Sequence, residues 1–168
     1  MSLRLHFESN LPYQEEAIAA AVDLFEGQPQ AESNFTISAS SNYGEGSSDF
    51  MEDMGYGNRL LISSDQILKN LRKVQLRNGI RQTETMVDGR YDFDIEMETG
   101  TGKTYVYLRT ALELSRRYGF NKFVIVVPSL AIKEGVLKTM EITRLHFNRL
   151  YNGLPYNYFV YSGDRVAD

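Results

Sequence analysis

Apolar residues change their period along the chain, and the changes mark out its elements. Leu3, Leu5 and Phe7 alternate with Arg4 and His6, the period of a short strand. From about Pro12 to Phe25 the period lengthens. Ile18, Ala21, Val22 and Phe25 fall at i, i+3, i+4 and i+7 and predict a helix with one apolar face. Pro12 is tolerated because it stands in the first turn. Residues 28–58 keep no period and are rich in Ser, Gly, Asn and acids, which predicts a long loop or insertion. Periodic order returns at Leu60. Ser63 and Gln66 form a Ser-x-x-Gln start signal, Ile67, Leu68, Leu71 and Val74 share a helical face, and Gly79 is placed to end that helix.

After a polar stretch with an Asp88-Gly89 turn, Tyr91, Phe93, Ile95 and Met97 alternate with Asp92, Asp94 and Glu96. This predicts a strand. A helix follows, with Tyr105, Leu108, Leu112 and Ser115 on one face and Gly119 at its end. Phe123 to Val127 is unbroken apolar sequence, the mark of a strand buried on both faces of a parallel sheet. Pro128-Ser129 closes it. Ile132, Val136, Leu137 and Met140 predict another amphipathic helix, and Tyr156 to Tyr161 one more strand. Strand, helix, strand, helix, strand is the order of an α/β protein with helices on both faces of a parallel sheet.

Composition narrows the class. The chain has 168 residues, 42% hydrophobic and 24% charged, which is ordinary for a globular domain with its own core. It has no Cys and only two His, His6 and His146, which excludes disulfides and argues against a His- or Cys-ligated metal. No apolar run approaches the roughly 20 residues that span a bilayer. The N-terminus lacks a signal-peptide core, so a cytoplasmic location without membrane association is expected. Net charge is −4, so a nucleic-acid partner cannot be argued from a basic surface. The charge is nonetheless uneven. Residues 28–58 hold five acids and no Lys or Arg, whereas 59–90 hold seven Lys or Arg and three acids. That pattern fits either a regulated DNA contact or a solvated insertion with local pairing. Three segments follow: 1–27, a strand and helix; 28–58, an acidic loop; and 59–168, the bulk of the domain.

The chemistry concentrates at Thr99-Gly100-Thr101-Gly102-Lys103-Thr104. Glycines at 100 and 102 let the backbone curl until successive N–H groups converge on an anion. A helix starting near Lys103 adds its positive end. Lys103 brings an ammonium to the β and γ phosphates, and the Thr104 hydroxyl can ligate a Mg²⁺ that bridges them. The general phosphate-loop (Walker A) pattern is G-x-x-x-x-G-K-[ST], and Met97 here replaces its first Gly. The nucleotide reading therefore names Thr99, Gly100, Thr101, Gly102, Lys103 and Thr104, with ATP and Mg²⁺ as cofactors.

The stretch from Phe93 to Tyr105 resembles motif I of the restriction (Res) subunit of type III restriction enzymes, members of the superfamily-two helicases. Val126 to Val136 is similar to that family's motif Ia, and Asn10 to Ile18 to its Q-motif. The resemblance covers nearly the whole chain in the same order. It implies a three-layer α/β/α, RecA-like P-loop NTPase domain with a parallel sheet, here incomplete. It implies that Gln14 reads the adenine edge, since an amide offers both donor and acceptor; on sequence alone a surface Gln in a first helical turn fits as well. Lys103 and Thr104 would hold triphosphate and magnesium as the catalytic pair. Pro128 and Ser129 would lie beside the DNA, although Ser129 also reads as a plain helix N-cap. Double-stranded DNA and a modification methylase subunit are the implied partners.

The resemblance is partial in one respect. Helicase-like hydrolysis needs an acidic pair after an apolar strand, and no Asp-Glu pair follows Lys103; Glu113, Glu134, Glu141, Asp164 and Asp168 stand singly. A second motor domain with arginine fingers and a nuclease domain are also missing. The chain is expected to be part of a longer ATP-dependent translocase and endonuclease, binding nucleotide weakly and hydrolysing little alone. Another superfamily-two helicase, a small-molecule kinase, or an inert ATP-binding module are the alternatives. Asp92, Asp94 and Glu96 share a strand face that suggests either a metal site or, more simply, a solvated edge.

Overall fold

The structure, a computed structural model, describes residues 8–30, 58–87, 89–154 and 156–161. The expected strand at 3–7 and most of the expected loop at 28–58 lie outside these residues. Four α-helices are present among them: α1 (Pro12–Val22), α2 (Ser64–Arg77), α3 (Lys103–Tyr118) and α4 (Leu130–Leu150), with a 3-10 turn at Asp23–Phe25 after α1.

The helix boundaries follow local chemistry. Pro12 opens α1 in the first turn, where its missing N–H costs nothing. Ser63 caps α2: its hydroxyl accepts from the Gln66 N–H at 3.3 Å. The reciprocal half of that box does not form, because the Gln66 amide donates instead to Asn70 Oδ1 at 2.9 Å. Ser129 caps α4 in the same way, accepting from the Ile132 N–H at 3.3 Å. Gly119 ends α3 with φ 73°, a left-handed conformation in which a Cβ is strained.

The two apolar stripes of α3 make it the hub. Tyr105, Leu108 and Leu112 pack on Val136, Met140 and Phe147 of α4 and on Tyr151 just beyond it. Val106 and Tyr118 pack on Ile18 and Val22 of α1 and on Phe120. The α2 helix buries Ile67 completely and is also held by polar stitches. Buried Asn70 donates to the carbonyls of Leu24 at 3.0 Å and Glu26 at 2.8 Å. Buried Gln28 donates to the Arg59 carbonyl at 3.0 Å and accepts from the Leu61 N–H at 2.8 Å, so the two ends of the 28–58 segment are tied together. No helix among the described residues is long and apolar enough to cross a membrane.

The expected parallel sheet is not seen among the described residues, where no strand is assigned to 91–97, 123–127 or 156–161. None of the backbone hydrogen bonds outside the helices joins these runs to one another. Phe123–Val127, expected to be buried on both faces, is largely exposed, Val124 at 90% and Val126 at 87%. The reason is physical: a strand is defined by its neighbours' N–H and C=O groups, and its burial by layers on each face. The beginning of this run is nevertheless anchored. Asn58 accepts from the N–H groups of Asn121 and Lys122 at 2.8 and 3.1 Å and donates to the Lys122 carbonyl at 2.6 Å.

Candidate nucleotide-binding site

The predicted phosphate loop sits at the N-terminus of α3. Gly100 has φ 84° and Gly102, the N-cap residue, has φ 86°. Both are conformations that only glycine adopts without strain, so the glycine spacing read from the sequence is used as expected. The first intrahelical bond of α3 runs from Val106 N–H to the Gly102 carbonyl at 3.0 Å, which leaves the preceding N–H groups of the first turn directed outward. A loop with two left-handed glycines ahead of a 16-residue helix presents those N–H groups and the positive end of its dipole to one place.

Lys103 is the first residue of α3 and folds back on the loop. Its Nζ donates to the carbonyls of Met97 at 3.1 Å and Glu98 at 2.9 Å. An ammonium carries three donors, so one remains for an anion. The Thr101 hydroxyl closes the turn by donating to the Glu98 carbonyl at 2.7 Å. Any residue at 97 would offer the carbonyl that accepts from Lys103; what Met97 adds over a glycine is its side chain. Its backbone carbonyl holds Lys103, while its side chain packs against the Ile18–Val22–Val106 cluster, so the position serves both the loop and the core. Thr104 stands half-buried in the same first turn. Thr99 is exposed at the loop's entrance.

Gln14 is brought to this loop across 87 residues of sequence. The residue is 6% exposed, and its Nε2 donates to the Thr101 carbonyl at 2.8 Å. A Cβ on Gly102 would lie 2.7 Å from that same nitrogen. Gly102 is thus demanded twice, by its φ and by the close approach of Gln14. The carboxamide has a second N–H and a carbonyl oxygen beyond the one bond it makes to the loop.

Pro128 and Ser129 stand exposed at the start of α4. Both meanings weighed for Ser129 concern this position, and its cap bond is present; the hydroxyl hydrogen is left to donate elsewhere. Among the described residues no hydrogen bond joins Pro128 or Ser129 to the phosphate loop. Asp92, Asp94 and Glu96 do not gather with other ligands: among the described residues no group of three metal-binding side chains is found, and Asp92 pairs with Arg90 at 2.8 Å.

A buried polar chain beside the loop was not visible in the sequence. Arg109 is buried on α3, with Nε donating to the Tyr151 hydroxyl at 3.4 Å and Nη1 to the Ser9 carbonyl. The Tyr151 hydroxyl donates to Glu113 Oε1 at 3.0 Å. Glu113 Oε2 accepts from Arg116 at 2.7 Å and lies 3.5 Å from Arg117 Nε. Arg116 and Arg117 stand in the last turn of α3, where their charge offsets the helix dipole, and both pair with this carboxylate. The 109, 113, 116 and 117 spacing places these groups on one face of α3, but nothing in the sequence ties them to Tyr151. Burial opposes charge on Glu113, but the Arg116 and Tyr151 hydrogen bonds and the two arginine charges outweigh it and hold its pKa below the ordinary value. Burial, reinforced by the Glu113 carboxylate, pushes the Tyr151 phenol up, so it stays a donor.

Comparison with known proteins gives the family. Residues 9–154 match the family model described as type III restriction enzyme, res subunit. The chain is 35% identical over 155 residues to the Res subunit of the type III restriction-modification enzyme EcoPI of Escherichia phage P1, covering 90% of this chain and 14% of that protein. It is 32% identical over 155 residues to the EcoP15I Res subunit of Escherichia coli, again 90% of this chain and 14% of the relative. Over 66 residues, 38% of this chain and 7% of the relative, it is 52% identical to the StyLTI Res subunit of Salmonella typhimurium. The chain therefore spans about one seventh of the length of the first two relatives, as their 14% coverage gives. Such membership implies a P-loop, helicase-like fold for the matched segment. On the extent of the family match and the identity to full Res subunits, the chain belongs to the type III restriction enzyme Res subunit family.

Proposed function

We propose that this chain is the ATP-binding part of a DNA-dependent ATPase and translocase that belongs to a type III restriction endonuclease, with cleavage carried out by another part of the enzyme. The observation that carries the reading is the loop at residues 99–104. Two left-handed glycines, a helix N-terminus and the Lys103 ammonium converge there. Their chemistry fits a triphosphate: N–H donors and one cation, with no Cβ in the way at Gly102. ATP bound there would supply the phosphoanhydride whose hydrolysis drives movement on DNA.

This chain's own residues divide the work. Thr99 to Gly102 wrap the phosphates with backbone N–H groups. Lys103 keeps two bonds to the loop and offers the third to the β and γ oxygens. The Thr104 hydroxyl would be the Mg²⁺ ligand this segment provides. Gln14 braces Thr101 and keeps amide positions for the adenine edge. Pro128 and Ser129 would face a DNA phosphate from the start of α4. The runs at 91–97, 123–127 and 156–161 would become strands of a parallel RecA-like sheet. A modification methylase subunit would supply sequence recognition. A catalytically inert ATP-binding module is the second reading.

Equilibrium binding of a fluorescent ATP analogue with Mg²⁺ tests the site. The wild-type chain should saturate, and Lys103→Ala should weaken binding about tenfold or more, as loss of a charge-assisted contact worth about 1.5–3 kcal/mol requires. Equal binding by both proteins would refute it. DNA-stimulated hydrolysis by a polypeptide that carries this segment within a whole Res subunit separates the two readings, because an inert module would show none.

A further inference from the structure

We propose that Arg109 is a positioning residue for base recognition: it grips residues 9–15 from both sides of Gln14 and thereby sets the chain's preference for adenine over guanine nucleotides. This rests on the reading of Gln14 given above.

The geometry is specific. Arg109 donates through Nη1 to the Ser9 carbonyl, five residues before Gln14, and its Nη2 lies 3.9 Å from Glu15 Oε1, one residue after it. Its Nε rests on the Tyr151 hydroxyl at 3.4 Å, and that hydroxyl is held by Glu113 at 3.0 Å. One guanidinium thus ties the Gln14 segment to α3 and to the end of α4. Nothing in apolar packing demands a cation there. A buried charge is costly, and well-packed apolar residues often replace one without loss of stability. What a guanidinium provides instead is planar, multidirectional donation that fixes a backbone carbonyl in place. The carbonyl fixed is at the entry of α1, whose N-cap Leu11 has no side-chain cap bond to hold it.

Gln14 has little slack. Its Nε2 is 2.8 Å from the Thr101 carbonyl and would sit 2.7 Å from a Cβ at Gly102. A shift of the 9–15 segment by a fraction of an ångström therefore moves the remaining amide groups off the base edge. Lys103 and the loop feel Arg109 only through the Gln14–Thr101 bond, so their phosphate contacts should be weakened less than the base contact. Guanine presents a carbonyl where adenine presents an amine, so a fixed amide discriminates between them and a loosened one does not.

The test is competition of Mg-ATP and Mg-GTP against a fluorescent ATP analogue on the 168-residue chain, with thermal melts run in parallel. Arg109→Met should weaken ATP about tenfold, equivalent to about 1.4 kcal/mol, and GTP less than about twofold, so the preference collapses. Arg109→Lys should restore part of the preference, and Tyr151→Phe, which removes only the hydroxyl, should lower it by about threefold. Should Arg109→Met fail to fold, these two variants decide alone. Parallel losses of ATP and GTP, an unchanged preference, or a wild-type chain with no preference would each overturn the inference. Gln14→Ala distinguishes the two levels. If it keeps the preference while Arg109→Met loses it, Arg109 acts through another residue of 9–15 and the Gln14 reading falls. If Gln14→Ala loses the preference and Arg109→Met keeps it, only the role of Arg109 falls.

Discussion

The paired helices α3 and α4 and the more apolar run from Phe123 to Val127 between them have opposite fates. In the first, Tyr105, Leu108, Leu112, Val136, Met140 and Phe147 lie buried against one another. In the second, which sits between the two helices in sequence, Val124 and Val126 stand open. Helices satisfy their own backbone and need only one partner face, which α3 and α4 provide for each other. An extended run satisfies nothing by itself and waits for neighbours on two edges and two faces. Apolar character alone therefore does not give burial; the hydrogen-bond partner does.

The largest effects should separate these regions. Phe147 is 1% exposed and stacks on Tyr105 at 5.2 Å between ring centroids, so Phe147→Ala should cost about 3–5 kcal/mol and lower the melting temperature steeply. Val126→Ala should change stability by no more than about 0.5 kcal/mol. A large loss at Val126 would mean that the run is covered in solution and would break the contrast. Asn70→Ala comes next. It leaves the Leu24 and Glu26 carbonyls without their donor and should cost about 1–3 kcal/mol in urea unfolding. A smaller effect would show that α2 is held mainly by buried Ile67 together with its exposed Asp23–Arg77 and Glu26–Lys73 ion pairs.

Gly102→Ala acts at the boundary of the well-packed region. A left-handed φ costs an alanine about 1–2 kcal/mol, and the new Cβ must displace Gln14. Nucleotide binding should fall with it, while Gly153→Ala, also left-handed but open around its Cβ, should share the strain and spare binding. Calorimetric titration of ATP into both variants measures the difference, and equal binding losses would dissociate the loop from Gln14.

Legibility in the sequence divided along the same line. Features decided within a turn or two were readable: the caps at Ser63 and Ser129, the stop at Gly119, the glycines of the phosphate loop and the apolar stripe of α3. The second stripe of α3, Val106 with Tyr118, was not separated from the first, because its partners Ile18 and Val22 are some 90 residues away, as the numbering shows. Gln14 could be assigned to the nucleotide only by resemblance, and its bond to Thr101 crosses 87 residues. Arg109 meets Tyr151 across 42. Period and composition carry no signal at such separations. The parallel sheet is not seen among the described residues for the complementary reason: the alternation at 91–97 and the apolar run at 123–127 are readable as strand-forming, but strand pairing is a property of partners, not of either run.

The smallest effect bears on whether the polar chain behind the loop belongs with the packed region. Glu113 is charged at neutral pH and held below its ordinary value of 4.5, since burial is outweighed by Arg116, Tyr151 and Arg117. A carboxylate with a depressed folded-state pKa stabilises the fold above its unfolded value, and that contribution is lost as pH falls from about 4.5 through the lower folded-state value. Melting temperature followed on acidification should therefore bend downward below about pH 4.5. In Glu113→Gln the bend should soften, because the glutamine binds no proton in either state; its single carbonyl oxygen replaces only one of the two carboxylate oxygens that accept from Tyr151 and Arg116. The variant should start lower at neutral pH, having lost the arginine attraction, and approach the wild type in acid. Two parallel curves would mean that the chain from Arg109 to Arg117 is solvated like a surface pair, and the contrast between the packed and the open parts of the molecule would then rest on apolar contacts alone.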